Sequence, residues 1–212
     1  MNMRQIAALA GMIGPVLFVA IFTLEGFLRP GYDPLRMYIS ALSLGPRGWI
    51  QITNFIAFGV FFLIFTHGIA AEFQNGKASK AGPILLTIIG ISFLVSGPFV
   101  MDPATNEGTM SLYGMIHGIF GGIVFTLMPL SCFVFLRRFQ EDQRWRSFQW
   151  CTIVAGIIVT VAVILLSIVT KLPAALDAYG AWVGLIQRMA LVPYMIWIFA
   201  FALKFHKKMR PL

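Results

Sequence analysis

The chain is poor in charge. Only 11% of its 212 residues are Asp, Glu, Lys or Arg, where a soluble domain carries about one-quarter. That shortage, with 58% hydrophobic residues and a mean hydropathy of +0.83, excludes an ordinary water-soluble globule. Cysteine is almost absent. Cys132 and Cys151 form neither a disulfide framework nor a metal-binding spacing, and each sits near the end of an apolar run as a small hydrophobe. Histidine is equally sparse. His67, His117 and His206 fall at different depths, so they do not converge on zinc, which takes three or four protein ligands, or on a haem held by two histidines. No metal and no cofactor is expected. Acidic residues number eight against sixteen basic ones, for a formal charge of +8. The basic residues cluster at the ends of apolar runs and are not interleaved with aromatics on a polar surface. This pattern excludes nucleic acid as a partner and fits anionic lipid headgroups. There is no phosphate-binding glycine loop, since Gly121–Gly122 falls in mid-helix, and no nucleophile-elbow motif.

What the chain does have is long apolar runs. Six windows reach the roughly 20 residues that cross a bilayer: about 6–28, 49–73, 81–101, 113–136, 148–170 and 181–204, with ends good to about four residues. The expected fold is all-α, a single polytopic six-helix transmembrane domain over residues 1–212. The first window lacks a small-residue cleavage site and reads as a retained span. Arg4, Lys77, Lys80, Arg137, Arg138, Arg144, Arg146, Lys204, Lys207, Lys208 and Arg210 fall on one side, eleven in all, against four on the other, Arg29, Arg36, Arg47 and Lys171. The positive-inside rule then places both termini in the cytoplasm. Gly114, Gly118 and Gly122 recur every four residues and allow a neighbouring backbone to approach closely.

Arg188 lies inside the last apolar window. A charged residue within a span is costly, rarely faces lipid, and pairs, lines a wet cavity or marks a functional site. Other polar residues share its side of the midplane: Glu25, Gln51, Asn54, Ser96, Asp102, His117 and Gln187, with Asp33, Tyr38, Ser40 and Ser43 in the first outer loop. A shared level makes a shared pocket possible. Its candidate ligand-binding residues are Arg188, His117, Asp102, Asn54, Gln187, Ser40 and Glu25. Each also has a structural role open to it. Arg188 can snorkel and pair with Asp102 or Glu25. His117 can be a core histidine bonded to a carbonyl, and Asp102, before Pro103, can cap a helix. Glu25 can be solvated at the interface, and Asn54 and Gln51 can serve as interhelical glue. The loop LRPGYDPLRMYISALSLGPRGW, Leu28 to Trp49, carries turn chemistry at Pro30–Gly31 and Asp33–Pro34. Leu35, Tyr38, Ile39 and Leu42 follow helical spacing. A short amphipathic helix there would act as a plug or as a lid.

The order PGYDPLRMYISALSLGPRGW, an Asn in the second span, an Asp after the third, a His–Gly pair early in the fourth and a Gln–Arg pair in the sixth resembles the domain-of-unknown-function 998 family of bacterial and archaeal membrane proteins. The resemblance covers nearly the whole chain. It implies a six-span bundle in a prokaryotic plasma membrane and brings no activity with it. The family's Pro-Gly-Tyr is Pro30-Gly31-Tyr32. Its Ser-x-Leu-Gly is matched by Ser40-Ala41-Leu42-Ser43-Leu44-Gly45, with the glycine displaced by two, so that Ser40 or Ser43 stands for the family's serine and Ser40 is preferred. The family's Glu-Arg appears as Gln187–Arg188, which removes a possible local partner for Arg188. A looser similarity to eukaryotic DRAM, Frag and Sfk type proteins, through Tyr-Ile-Ser in the first loop, tilts the expectation towards lipid.

Three functions remain open on these residues. A protein that binds a lipid or small anionic amphiphile, as a sensor or transport helper, calls for an open pocket with Arg188 unpaired. An intramembrane lipid hydrolase calls for His117, Asp102 and Ser40 (or water) within reach of one another; these are the candidate catalytic residues. A structural or interaction subunit calls for Arg188 paired in a dry core. A proton-coupled transporter ranks lower, because the inner half of the spans carries no charge.

Overall fold

The computed structural model describes residues 2–103 and 110–207. Lys208 and Arg210, counted above among the basic residues, and positions 104–109 of the loop after the third apolar window lie outside them. Seven α-helices and three short 3₁₀ turns make up the regular structure, and there is no strand among the described residues. The helices are α1 (Met3–Leu28), α2 (Gly48–Glu72), α3 (Ala81–Ser96), α4 (Leu112–Glu141), α5 (Gln149–Lys171), α6 (Pro173–Tyr179) and α7 (Val183–Lys207). Local sequence chemistry sets several of these boundaries. Asn2 and Gln5 form a reciprocal capping box that opens α1. Ser111 caps α4 by accepting from the Gly114 N–H at 3.0 Å. Pro173 stands at the start of α6, where its missing N–H costs nothing.

α1, α2, α3, α4, α5 and α7 pack in that order as a ring, which closes where α7 meets both α5 and α1. Neighbours run antiparallel. Ala7, near the start of α1, and Phe205, near the end of α7, both approach Gly68 near the end of α2. Any side chain at Gly68 would strike Ala7, so the contact requires glycine. Both ends of the described chain therefore lie at one end of the bundle, and the 29–47 loop lies at the other. We call these the terminal end and the loop end.

The ring is filled with aromatics. Phe18 stacks on Phe58 at 4.7 Å between centroids, and Phe93 meets Phe58 edge-on at 4.6 Å. Towards the terminal end, Phe135, Phe139, Trp145 and Phe201 form a second cluster, with Trp145 stacked on Phe139 at 5.3 Å. Trp197 donates its indole N–H to Thr152 at 3.0 Å, and Ser131 shares a 3.0 Å bond with Tyr194. The outward surface is apolar as well. On α5 alone, Val154, Ile157, Ile158, Val161, Ile164, Leu165 and Ile168 are exposed. A helix that is hydrophobic on all sides, with an open face of this size, has lipid as its solvent.

Five helical segments are long and apolar enough to span a bilayer. α3 differs from its sequence reading. The apolar window runs to residue 101, yet the helix stops at Ser96 after 16 residues. That is about 24 Å of helix at 1.5 Å per residue. Pro98 explains the stop, because proline lacks an N–H and disfavours helix at the residue before it. In the first outer loop, the helical spacing through Leu35 and Leu42 corresponds to a five-residue 3₁₀ turn, Ile39–Ser43, with Ile39 and Leu42 buried in the bundle.

Candidate functional site

The 29–47 loop is fastened to the bundle from two sides. On one side are the first turns of α7. The Leu185 N–H, one of the amides that a helix start leaves without a partner, donates to the Leu35 carbonyl at 3.0 Å. Gln187 accepts from the Ile39 N–H at 2.7 Å. Arg188 donates through Nη1 to the carbonyls of Pro34 (2.7 Å), Met37 (3.1 Å) and Gly184 (2.9 Å), and through Nη2 to the Tyr32 hydroxyl. Tyr32 passes the chain of bonds on, donating to the Tyr38 and Met37 carbonyls at 3.1 and 3.3 Å. Burial raises the Tyr32 pKa, although Arg188 and its hydrogen bond pull it down. The phenol therefore keeps its proton and its donor role. The guanidinium carbon also sits 5.9 Å from the Phe22 ring and 5.8 Å from the Tyr32 ring, within cation–π range.

Gly184 makes this seating possible. A Cβ there would collide with the carbonyl oxygens of Pro34, Leu35 and Met37. Gly184→Ala should therefore lift the loop without altering Arg188, at about 1–3 kcal/mol for an overpacked contact. Amide hydrogen exchange across residues 33–41 should rise. Unchanged exchange there would show that the loop does not depend on this seat.

The second fastening is ionic. Glu25 is 4% exposed and receives Arg47 bidentately, Nε at 3.0 Å and Nη2 at 2.6 Å. Arg29, one helical turn on, lies 3.2 Å from the same carboxylate and donates to the Leu44 carbonyl at 2.9 Å. The Glu25 carboxylate beside Arg47 raises that guanidinium's pKa. Glu25 is thus neither solvated nor the partner of Arg188.

The remaining candidates divide further. His117 Nδ1 donates to the Phe99 carbonyl at 2.7 Å, in the segment where α3 has unwound, and the ring meets Phe55 edge-on at 6.1 Å. Asp102 accepts from the Ser111 N–H at 2.9 Å, at the positive N-terminus of α4, so the Asp102–His117 bond of a hydrolase triad is not formed. Asn54 donates to the Phe18 carbonyl at 3.1 Å and to Gln51 at 3.2 Å, tying α2 to α1. His117, Ser40 and Gln187 come together with Ser96 around a cavity of about 30 Å³. Arg188 is elsewhere. It lines a groove of about 190 Å³ with Phe22, Thr23, Gly26, Phe27, Pro34 and Val192. The shared level is real, but it holds several sites and not one pocket.

Tyr32, Arg29 and Arg47 are contributors that sequence reasoning did not place among the site residues. The i, i+4 spacing of Glu25 and Arg29 is a readable ion-pair signal. Nothing local in the sequence announces Arg47 as the second partner. No cluster of three His, Cys, Asp or Glu suited to a metal occurs among the described residues.

A closed ring of apolar helices with most of its buried polar groups towards the loop end defines an all-helical integral membrane protein. The family model described as "Protein of unknown function (DUF998)" matches residues 12–204, and the chain belongs to that family. No curated protein and no solved structure matches the chain.

Proposed function

We propose that the protein binds a lipid or small anionic amphiphile in the Arg188 groove, as a sensor or transport helper. The observation that carries this reading is the state of Arg188. All its hydrogen-bond partners are neutral oxygens, and no carboxylate among the described residues pairs with it. A half-buried cation without a counter-ion is costly in a low-dielectric setting, and a carboxylate or phosphate oxygen in the groove would offset that cost. The groove walls suit the rest of such a molecule, because Phe22, Phe27 and Val192 are apolar. Phe27 and Leu28 beside them are exposed to the lipid phase.

In this reading α3 and the residues after it make a sixth crossing. The terminal end, rich in Arg and Lys, faces the cytoplasm of a prokaryotic cell, and the groove opens at the outer leaflet. A second reading rests on the same bonds: Arg188 acts only as the pin that holds the loop. Native mass spectrometry of the wild type and Arg188→Ala, purified in mild detergent, separates the two. The binding reading expects an anionic lipid or amphiphile on the wild type that is lost from the variant. If neither carries one and only thermal stability falls, Arg188 is a pin and the binding reading is abandoned.

A further inference from the structure

The His117 cavity lies between α4 and α7, on the loop-end side of the Ser131–Tyr194 bond, and its chemistry differs from that of the Arg188 groove. No charged residue lines it. His117 and Gln187 are more than nine-tenths buried, at 8% and 6% exposure, and each has one end already committed. The Nδ1–H of His117 is spent on the Phe99 carbonyl, with the Ser96 backbone also against the ring, so in the neutral ring the lone pair is on Nε2. The Gln187 oxygen is spent on the Ile39 N–H, so its free end is the NH₂ donor. Ser96 donates its hydroxyl proton to the Ser92 carbonyl at 2.8 Å and has only its oxygen left to accept. The Ser40 hydroxyl, with no partner among the described residues, can do either.

The cavity thus presents acceptors from His117 and Ser96, a donor from Gln187, and the adaptable Ser40. An anion would meet two sets of lone pairs. A hydroxyl group fits, because it donates to His117 Nε2 while accepting from the Gln187 NH₂. The size agrees. About 30 Å³ exceeds the roughly 10–15 Å³ that one water requires, and it admits the hydroxymethyl end of a larger molecule. The first methylenes of that molecule would rest against Phe55, Phe93 and Leu191, which complete the wall.

We propose that this cavity is a second binding site, separate from the Arg188 groove, for the hydroxyl end of an uncharged alcohol. The proposal does not depend on the anion reading, and its test keeps the two apart. The full-length protein in mild detergent is irradiated with diazirine-bearing octanol and, in parallel, with the corresponding octanoate. Octanol should tag peptides containing residues 39–40, 117–125 or 187–191, and octanoate should spare them.

Two variants address the cavity by different routes. Gln187→Glu keeps the oxygen that accepts from Ile39 and removes the donor. Gly121→Leu breaks no hydrogen bond and fills space, since Gly121 lines the cavity and a side chain there starts in open space. Tagging by octanol should fall at least tenfold in both, with the thermal midpoint of Gly121→Leu at or above that of the wild type. If Gln187→Glu proves unstable, Gly121→Leu decides alone. The proposal is overturned if octanol tags nothing there above background, so that the cavity holds only water. It is equally overturned if tagging survives cavity filling, or if octanoate tags the same peptides as strongly as octanol.

Discussion

Arg188→Ala detaches the first loop from α7 and lowers stability by about 3 kcal/mol, the largest loss expected from any single truncation at the groove. The figure follows from the bonds removed. Hydrogen bonds from a charged donor contribute roughly 1.5–3 kcal/mol each, and Arg188 makes bonds to Pro34, Met37, Gly184 and Tyr32. The total stays well below their sum because the loop carbonyls lie near the surface and regain water. Because a membrane protein seldom unfolds in two states, the loss is best read as a fall in thermal midpoint in one detergent. Two companion variants assign its parts. Arg188→Lys keeps the charge but cannot span the Pro34–Met37 carbonyls and the Tyr32 hydroxyl with one compact ammonium. It should recover less than half of the lost stability. Tyr32→Phe removes the relay to Met37 and Tyr38 and leaves Arg188 charged. It should cost about 2 kcal/mol, because the hydroxyl's donated bond and the charge-assisted bond it accepts from Arg188 are both lost, and retain any bound anion. A thermal midpoint in Arg188→Ala equal to wild type would mean that the loop is held by Gln187 and Glu25 alone.

The parts of this molecule that were legible in its sequence are those governed by composition and spacing. Length and apolarity mark the runs that become α1, α2, α4, α5 and α7. The isolated charge of Arg188 marks the loop end, and Gln187, His117 and Glu25 lie towards the same end of the ring. Rotation was not legible. Gln187 and Arg188 are neighbours in sequence, but one helical step turns about 100°, so Gln187 faces the His117 cavity and Arg188 faces the α1 groove. Partners made of backbone were not legible either. Every residue has a carbonyl, and nothing in the side chains of Pro34, Met37 or Phe99 marks theirs as the acceptors for Arg188 and His117. The end of α3 was not legible for a third reason. Hydropathy continues through residue 101, but Pro98 acts through a missing N–H, which hydropathy does not weigh. Of the seven candidate ligand-binding residues, only His117, Ser40 and Gln187 meet in one cavity.

Glu25→Ala is the second large effect, and it differs in kind from the first because it strands charge. Glu25 is a single carboxylate shared by two arginines, buried to 4% exposure, while Arg29 beside it is 14% exposed and Arg47 is 47% exposed. Removing one partner of a buried ion pair leaves an uncompensated charge and costs roughly 3–5 kcal/mol. The lower end applies here, since Arg47 can turn to water and Arg29 keeps its bond to the Leu44 carbonyl. Neutralising the pair together tests that account. If stranded charge is the cause, Glu25→Ala combined with Arg29→Met should be more stable than Glu25→Ala alone, because the methionine retains apolar bulk where the guanidinium has lost its counter-ion. If the double variant is the weaker of the two, the bonds of Arg29 to the loop outweigh its charge, and Glu25 serves mainly to orient it. Either result bears on the groove. Glu25 offsets one of the two positive charges of Arg29 and Arg47, and Arg188, one helix away, has no carboxylate partner among the described residues. The net charge that faces an incoming anion is therefore that of Arg188 and the one charge left over from Arg29 and Arg47, and in Glu25→Ala it should rise. An anionic amphiphile should then bind Glu25→Ala at least as well as the wild type, even as the protein itself becomes easier to unfold.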